Sequence, residues 1–252
     1  MRLKLWNKIP ETVKNGTPKE KWYYFWEYYK AHAIVAAFLV IFVISYIYNA
    51  LTAKDILLNG FFLNSISGKS AVEELKYDFL EKEAIDTSKY DVIFDADRIY
   101  SLDLSSSDYS YNYETSQALV TQTSAGDLDF VAGDLPVMTV TAYSEYFLDL
   151  SKVLSQEQLE LYEPYFLYID QPVLEQLMET KSSENEEMIT IPDCRQPETM
   201  EKPVPVMIDV SSWDKVEKIY DGGEETRIAI GCIINSSNIE TVLAFIDYLY
   251  ER

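Results

Sequence analysis

Histidine occurs once in these 252 residues, at His32, and cysteine twice, at Cys194 and Cys232. Those shortages exclude much chemistry. Beyond residue 52 there is no imidazole, so no Ser-His-Asp triad, Cys-His dyad or His-ligated metal can be assembled there. Basic residues are scarce in the same stretch: residues 52–252 hold 14 Lys/Arg against 39 Asp/Glu, a net −25. Nucleic acid is therefore not expected as a partner, because its phosphates need a basic patch. Glycine is limited to 8 residues, with no nucleotide-binding pattern among them. Carboxylate-pair glycosidase chemistry needs only acids, but nothing singles out two of the 39. The chain is expected not to be an enzyme, and no cofactor or metal is expected.

What is present is a segregated charge pattern. Residues 1–30 carry seven Lys/Arg and three acids, and residues 31–51 carry no Lys, Arg, Asp or Glu. As a helix, the 21 residues Ala31–Leu51 span roughly 31 Å, the thickness of a bilayer core. Just before them stands "KWYYFWEYYKAH", in which seven of the eight residues from Trp22 to Tyr29 are aromatic. Trp and Tyr favour the membrane interface, so Trp22, Tyr23, Phe25, Trp26 and Tyr29 are membrane-interface candidates, with Lys19, Lys21 and Lys30 in reach of anionic lipid. The competing reading makes the rings an oligomer or partner contact. The basic head places residues 1–30 in the cytoplasm and the acidic body outside. A cleaved signal peptide fits less well: its charged region would be 30 residues long, and Leu51 occupies the −3 position of the site before Lys54. No cysteine directly follows the apolar run, so no lipoprotein anchor is expected. The reading is an uncleaved signal-anchor in the cell membrane.

Three parts follow: a short cytoplasmic basic and aromatic segment (1–30), a transmembrane helix (31–51) and an extracellular α/β domain (54–252). In the last, "DILLNGFFL", "YDVIFDA", "LDFVAGD", "PVMTVTA", "VPVMIDV" and "TRIAIGCII" read as strands. Helices are expected after capping boxes at Ser70/Glu73, Ser155/Gln158 and Ser237/Glu240, after Asp170, and over "ETSQALVTQTSAG" up to Gly126. The final helix carries an apolar stripe at Ile239, Val242, Leu243, Ile246 and Leu249. Residues 181–203, polar and with three prolines, read as a loop or linker. Alternating strands and helices argue a mixed-sheet α/β domain.

Candidate sites are few. Tyr109, Tyr111 and Tyr113 recur at period two, so an extended segment would present them on one face. Such a platform stacks on a sugar or peptide, or else packs as an ordinary half-buried strand. Asp127, Asp129 and Asp134 flank a strand, and Asp134 at its carboxyl end is a ligand-binding candidate against turn and capping roles. Asp103, Ser105, Ser107 and Glu114 have the spacing of a calcium loop, but Asp108 stands where that loop needs glycine. Cys194 and Cys232 are a candidate disulfide, with burial of Cys232 as a small hydrophobe the alternative.

Three stretches carry a resemblance: "TSQALVTQTSAGDLDFVAGD" (115–134), "YFLDLSKVLSQEQLE" (146–160) and "RIAIGCIINSSNIETVLAFIDYLY" (227–250). In this order they resemble extracellular solute-binding proteins of ABC transporters, the two-lobed type 2 periplasmic-binding group. The resemblance implies a reduced periplasmic-binding-like fold, because about 200 residues leave no room for a complete second lobe. It also implies an unidentified small ligand. Two readings follow. One is a single-pass membrane-anchored extracellular binding protein. The other is a non-catalytic scaffold or accessory subunit of an envelope complex, with a membrane or envelope protein as partner.

Overall fold

The apolar run lies inside one unbroken helix, α1 (Pro18–Thr52), in a computed structural model that describes residues 15–103, 105–180, 189–220 and 226–251. The basic residues 1–14 and the first part of the expected loop, 181–188, lie outside the described residues. Helix α1 begins well before residue 31. Thr17 accepts the Glu20 amide, the Glu20 carboxylate accepts the Thr17 amide at 2.7 Å, and Pro18 occupies the first turn. This "TPKE" capping box satisfies free donors that the membrane-length argument alone does not address. The aromatic run is thus helical and continuous with the apolar run. By length and composition α1 can cross a membrane, and a signal sequence near an N-terminus shares both properties.

Contacts divide the chain into residues 1–53 and residues 54–252. The second unit is built on one six-stranded sheet in the order β2-β1-β3-β6-β5-β4. Strands β1 (Asp55–Phe62), β2 (Tyr90–Asp95) and β3 (Phe130–Asp134) are parallel. Strands β4 (Phe166–Asp170), β5 (Pro203–Asp209) and β6 (Ile228–Cys232) join antiparallel, and β6 pairs directly with β3.

Period-two alternation sends successive side chains to opposite faces. Leu58, Phe62, Phe130, Ala132, Ile208 and Ile230 enter one apolar layer, covered by α2 (Lys69–Lys82) and α8 (Ile239–Tyr250). Phe61, Leu63, Val131, Met207 and Ala229 enter the other, covered by α3 (Asn112–Ala125), α4 (Leu135–Ala142) and α6 (Gln171–Thr180). Two short helices, α5 (Gln156–Tyr162) and α7 (Asp214–Glu217), complete the first layer. Gly60 in β1 has no alternative, since a Cβ there would sit 2.1 Å from the Phe130 ring.

Several expectations hold locally. Gly126 ends α3 in the left-handed conformation at φ +71°, and the Ser155/Gln158 capping box forms. Others are corrected. "PVMTVTA" is helix α4, started by Pro136 in its first turn, and apolar on several faces because Val137, Met138, Thr141 and Ala142 are all buried. The Ser70/Glu73 box does not form, because α2 starts at Lys69, after Gly68, two residues before the start an N-cap at Ser70 would set. A Cβ at Gly68 would meet the Ile219 carbonyl oxygen at 1.8 Å, so close backbone approach sets that start. The Ser237/Glu240 box is absent too. Asn238 precedes α8 without a side-chain cap, and Ser236 binds the Asn238 amide instead. The helix expected after Asp170 does form, as α6; Asp170 itself ends β4, and its carboxylate accepts the amides of Glu201 and Lys202, tying the end of the expected loop to the sheet.

Candidate functional site

The chain runs from β1 to β2 in one direction along the sheet, then passes back over β1 to β3. That reversal leaves a crevice at the carboxyl ends of β1 and β3, the place where open α/β sheets bind ligands. A cavity of about 550 Å³ lies there, lined by Asn64, Ser67, Ile99–Asp103, Asp108, Asp134, Pro136 and Val137. Its size is that of small-molecule sites.

Asn64 organises the crevice. It adopts φ +60°, a conformation asparagine tolerates better than most residues. Its backbone N–H donates to the Arg98 carbonyl at 2.9 Å. Its side-chain amide donates to the Tyr100 carbonyl at 2.9 Å and to Asp134 Oδ1 at 2.5 Å, and its Oδ1 accepts the Tyr100 N–H at 2.8 Å. One side chain thereby joins the end of β1, the segment after β2 and the end of β3. Asp134 precedes α4 in extended conformation without capping it, so among the described residues its second carboxylate oxygen accepts no side-chain bond. Thr115 and Asn112 secure the 99–101 wall: Thr115 donates to the Ile99 carbonyl at 2.7 Å, and Asn112 bonds Ser101 in both directions.

A neighbouring cavity of about 550 Å³ lies at the end of β2, lined by Lys69, Glu73, Phe94–Arg98 and Glu114. Its cations are engaged. Lys69 pairs with Asp97 at 2.6 Å, which raises the Lys69 pKa. Arg98 donates to Asp95 at 2.8 Å, and its guanidinium lies 5.0 Å from the centre of the Phe61 ring.

Of the residues singled out by their pattern, Asp134 and Asp103 line the main cavity. Tyr109, Tyr111 and Tyr113 do not stand on an extended face. Ser107–Tyr111 is a 3-10 helix that leads into α3, because Ser106 caps it and binds the Asp108 amide. All three rings are exposed, and they line neither cavity. In the segment with calcium-loop spacing, the Asp103 carboxylate is turned to the Ser105 amide and hydroxyl, which lower its pKa. Asp129 is fully buried and structural. It accepts the Asn59 amide and the Ser236 hydroxyl, both at 2.7 Å, and the Asn238 side-chain amide at 3.3 Å. The main-chain oxygen of Asp127 accepts from Asn59 at 2.7 Å.

The candidate disulfide is absent. Cys194 and Cys232 are free, buried thiols, and the sheet separates them: Cys232 belongs to the layer under α2 and α8, Cys194 to the opposite one. Burial pushes the Cys232 thiol up to about 12 and also raises that of Cys194. On α1, Trp22 stacks on Phe25 and Trp26, and Phe25 on Tyr29, with Trp22, Tyr23 and Trp26 more than half exposed.

Among the described residues, the main cavity is lined by carboxylates, hydroxyls, an amide and one tyrosine ring, with no imidazole, thiol or cation. It can hold a ligand by hydrogen bonds and charge. Asn64, Ser67, Tyr100 and Ser101 carry no motif that marks them in the sequence. The one signal for Asn64 is its place directly after the run "GFFL".

No family model matches this chain, and no curated protein matches it. Among solved structures, the substrate-binding domain of a putative molybdenum ABC transporter from Clostridium difficile aligns over 79% of this chain and 93% of its own, with 13% identity and a TM-score of 0.33. A likeness that slight carries neither a ligand nor an activity across.

Proposed function

We propose that this chain is a single-pass membrane-anchored binding protein that does not catalyse. Helix α1 would be the anchor, residues 1–30 cytoplasmic, and the sheet unit extracellular, holding a small ligand between the carboxyl ends of β1 and β3. The observation that carries the reading is the crevice itself. A cavity of ligand size lies where the strand order reverses, and one polar residue, Asn64, fixes its three walls. The charge asymmetry around the apolar run supports the orientation.

The test uses the full chain, purified from its own membranes and examined by native mass spectrometry. A Ser67→Trp variant, with the cavity obstructed, is run beside it. A small molecule retained by the wild type and lost from the variant is expected. Identical spectra would sink the binding reading and leave the scaffold.

One observation favours the scaffold reading. Helix α1 has 35 residues, so it is about 52 Å long against a bilayer core of about 30 Å. Rings such as Trp22 then sit well outside the core, where a protein partner in the envelope would cover them.

A further inference from the structure

We infer that a further cavity, where β1 and β2 begin, takes the headgroup of a zwitterionic phospholipid, with its phosphate toward Lys54 and its amine toward Glu81. This rests on the reading of α1 as the membrane anchor. It is separate from the crevice, which lies at the carboxyl ends of the strands. The cavity measures about 700 Å³, and its lining includes Lys54, Leu80, Glu81, Ala84, Ile85 and Asp91.

The chain itself sets the level of this cavity. Helix α1 ends at Thr52, and Lys54 follows two residues later. Two residues of extended chain reach at most about 7 Å. The headgroup layer is about 5–8 Å deep on each side of the hydrocarbon core. With the apolar run leaving that core at Leu51, Lys54 is held at the level of the lipid headgroups.

The charges of the lining are of two kinds. Lys76 pairs with Asp91 at 3.0 Å, and its side chain is only 19% exposed. Burial works against the Asp91 charge, but the bond from Lys76, the Val92 amide and the charges of Lys76 and Lys54 outweigh it and lower the Asp91 pKa. That pair is satisfied internally. Lys54 and Glu81 line the same cavity, yet among the described residues neither side chain joins an ion pair, with the other or with a third residue. A cation and an acid held beyond pairing distance on one cavity match a ligand that carries both signs at separate points. A phosphate bearing a primary amine is such a group. Its amine donates to the carboxylate, and its phosphate oxygens accept from the lysine.

The remaining lining is apolar and favours a lipid over a soluble ester. Leu80 belongs to the core, Ile85 packs against it, and the Tyr77 residue in the same lining is 64% exposed. Ala84 turns the chain at φ +50°, where glycine is less strained, so a methyl group is kept there against the preference of the backbone. The glycerol and first acyl carbons of a lipid cover such a surface, and a free phosphate ester does not.

The experiment is titration calorimetry on the full chain in uncharged detergent at low salt, with protein-free detergent as the blank. The probes are dihexanoyl phosphatidylethanolamine, dihexanoyl phosphatidylglycerol and free phosphoethanolamine. The ethanolamine lipid is expected to saturate at one per chain and to bind about fivefold tighter than either other probe. Lys54→Gln and, separately, Glu81→Gln are expected to weaken it about fivefold each, the upper range for a charge pair in contact with water. Lys152→Gln and Glu157→Gln, the latter on α5, replace exposed charges elsewhere on the unit and are expected to leave it unchanged. Thermal melts confirm that each variant is folded. Equal weakening by the last two variants would mean diffuse charge attraction and overturn the inference. The glycerol lipid bound as tightly as the ethanolamine lipid would overturn the amine contact, and free phosphoethanolamine bound as tightly would overturn the lipid. Absence of saturable binding overturns the site altogether. Carbonate extraction of the cell membranes tests the anchor separately. Protein that stays in the membrane and ignores the lipid sinks this site alone, whereas protein released by carbonate overturns the anchor reading and this inference with it.

Discussion

Asn59 and Asp129 face each other across the β1–β3 pair. The Asn59 N–H donates to the Asp129 carboxylate at 2.7 Å, and the Asp129 N–H donates back to the Asn59 carbonyl at 2.8 Å. Ser236 and Asn238, at the start of α8, bind the same carboxylate. One buried acid therefore fastens the last helix to the β1–β3 pair.

Replacing that acid strands its donors. Asp129→Ala leaves a backbone amide, a hydroxyl and a side-chain amide without an acceptor in the interior. Bonds to a charged group contribute about 1.5–3 kcal/mol each, so a loss of about 3 kcal/mol is a conservative expectation. A thermal melt reads it, and a drop in melting temperature no larger than that of Glu157→Gln would show the carboxylate to be dispensable.

Adjacent serines separate two accounts of the α8 start. Ser236 binds both Asp129 and the Asn238 amide, so Ser236→Ala should cost about 1–2 kcal/mol. For Ser237→Ala a change within about 0.5 kcal/mol is expected, because Ser237 is not the cap. The reverse ranking in denaturant titrations would restore the capping box read from the sequence.

The last helix is core. Val242, Phe245, Ile246 and Leu249 are at most 2% exposed, and the Phe245 ring lies 4.9–5.1 Å from those of Phe79, Phe94 and Phe130. Phe245→Ala should cost about 3–5 kcal/mol. A domain of ordinary stability, about 5–15 kcal/mol, would survive that substitution only marginally, and truncation after Asn238 should leave it unfolded. Circular dichroism of the truncated protein decides, with a parent-like melt as the contrary result.

Alkaline pH should unfold the sheet unit early. Burial pushes the Cys232 thiol from 9.0 to about 12 and the Tyr248 phenol from 10.0 to about 12. Both folded values are raised, so both contributions are complete below the unfolded pKa and vanish as the pH climbs toward about 12. Melting temperature should be flat from about pH 7 to 9 and fall above it. In Cys232→Ala the fall between about pH 9 and 10 should be shallower, and an unchanged profile there would exclude the thiol as a cause.

Topology can be read with cysteine labels, since both native thiols are buried. Tyr77→Cys, at an exposed position on α2, should react with an impermeant maleimide on intact cells. Lys19→Cys should react only after permeabilisation. Labelling of residue 19 from outside would reverse the orientation proposed above.

Local signals were readable where one residue type enforces one geometry. Gly126 ended a helix because φ +71° suits glycine, and Ser155 with Gln158 began one. Period-two arguments failed where a start signal competed. "PVMTVTA" is rich in β-branched residues, yet Pro136 directly after Leu135 opens a helix, and burial on several faces removed the expected polar side. The three tyrosines alternate like a strand but follow Ser106, which turns the chain into a 3-10 helix. The crevice was legible at Asp134 and, through the calcium-loop spacing, at Asp103. Its other walls come from residues 64–67 and 99–108, which become neighbours only through the strand order.

Strand β6 is the final strand in the chain and yet stands fourth of six in the sheet, with β3 on one side and β5 on the other. During synthesis the parallel half is complete by residue 134, while its bond to the other half waits for residues 228–232. At about 5–20 residues per second the open edge of β3 persists for several seconds. A nascent chain held by α1 would carry that sticky edge beside the translocation pore, within reach of chaperones and proteases. A stop codon between residues 210 and 227 then yields two unjoined half-sheets, and an earlier one leaves the β3 edge bare, so β6 makes translation through residue 232 the condition for passing quality control.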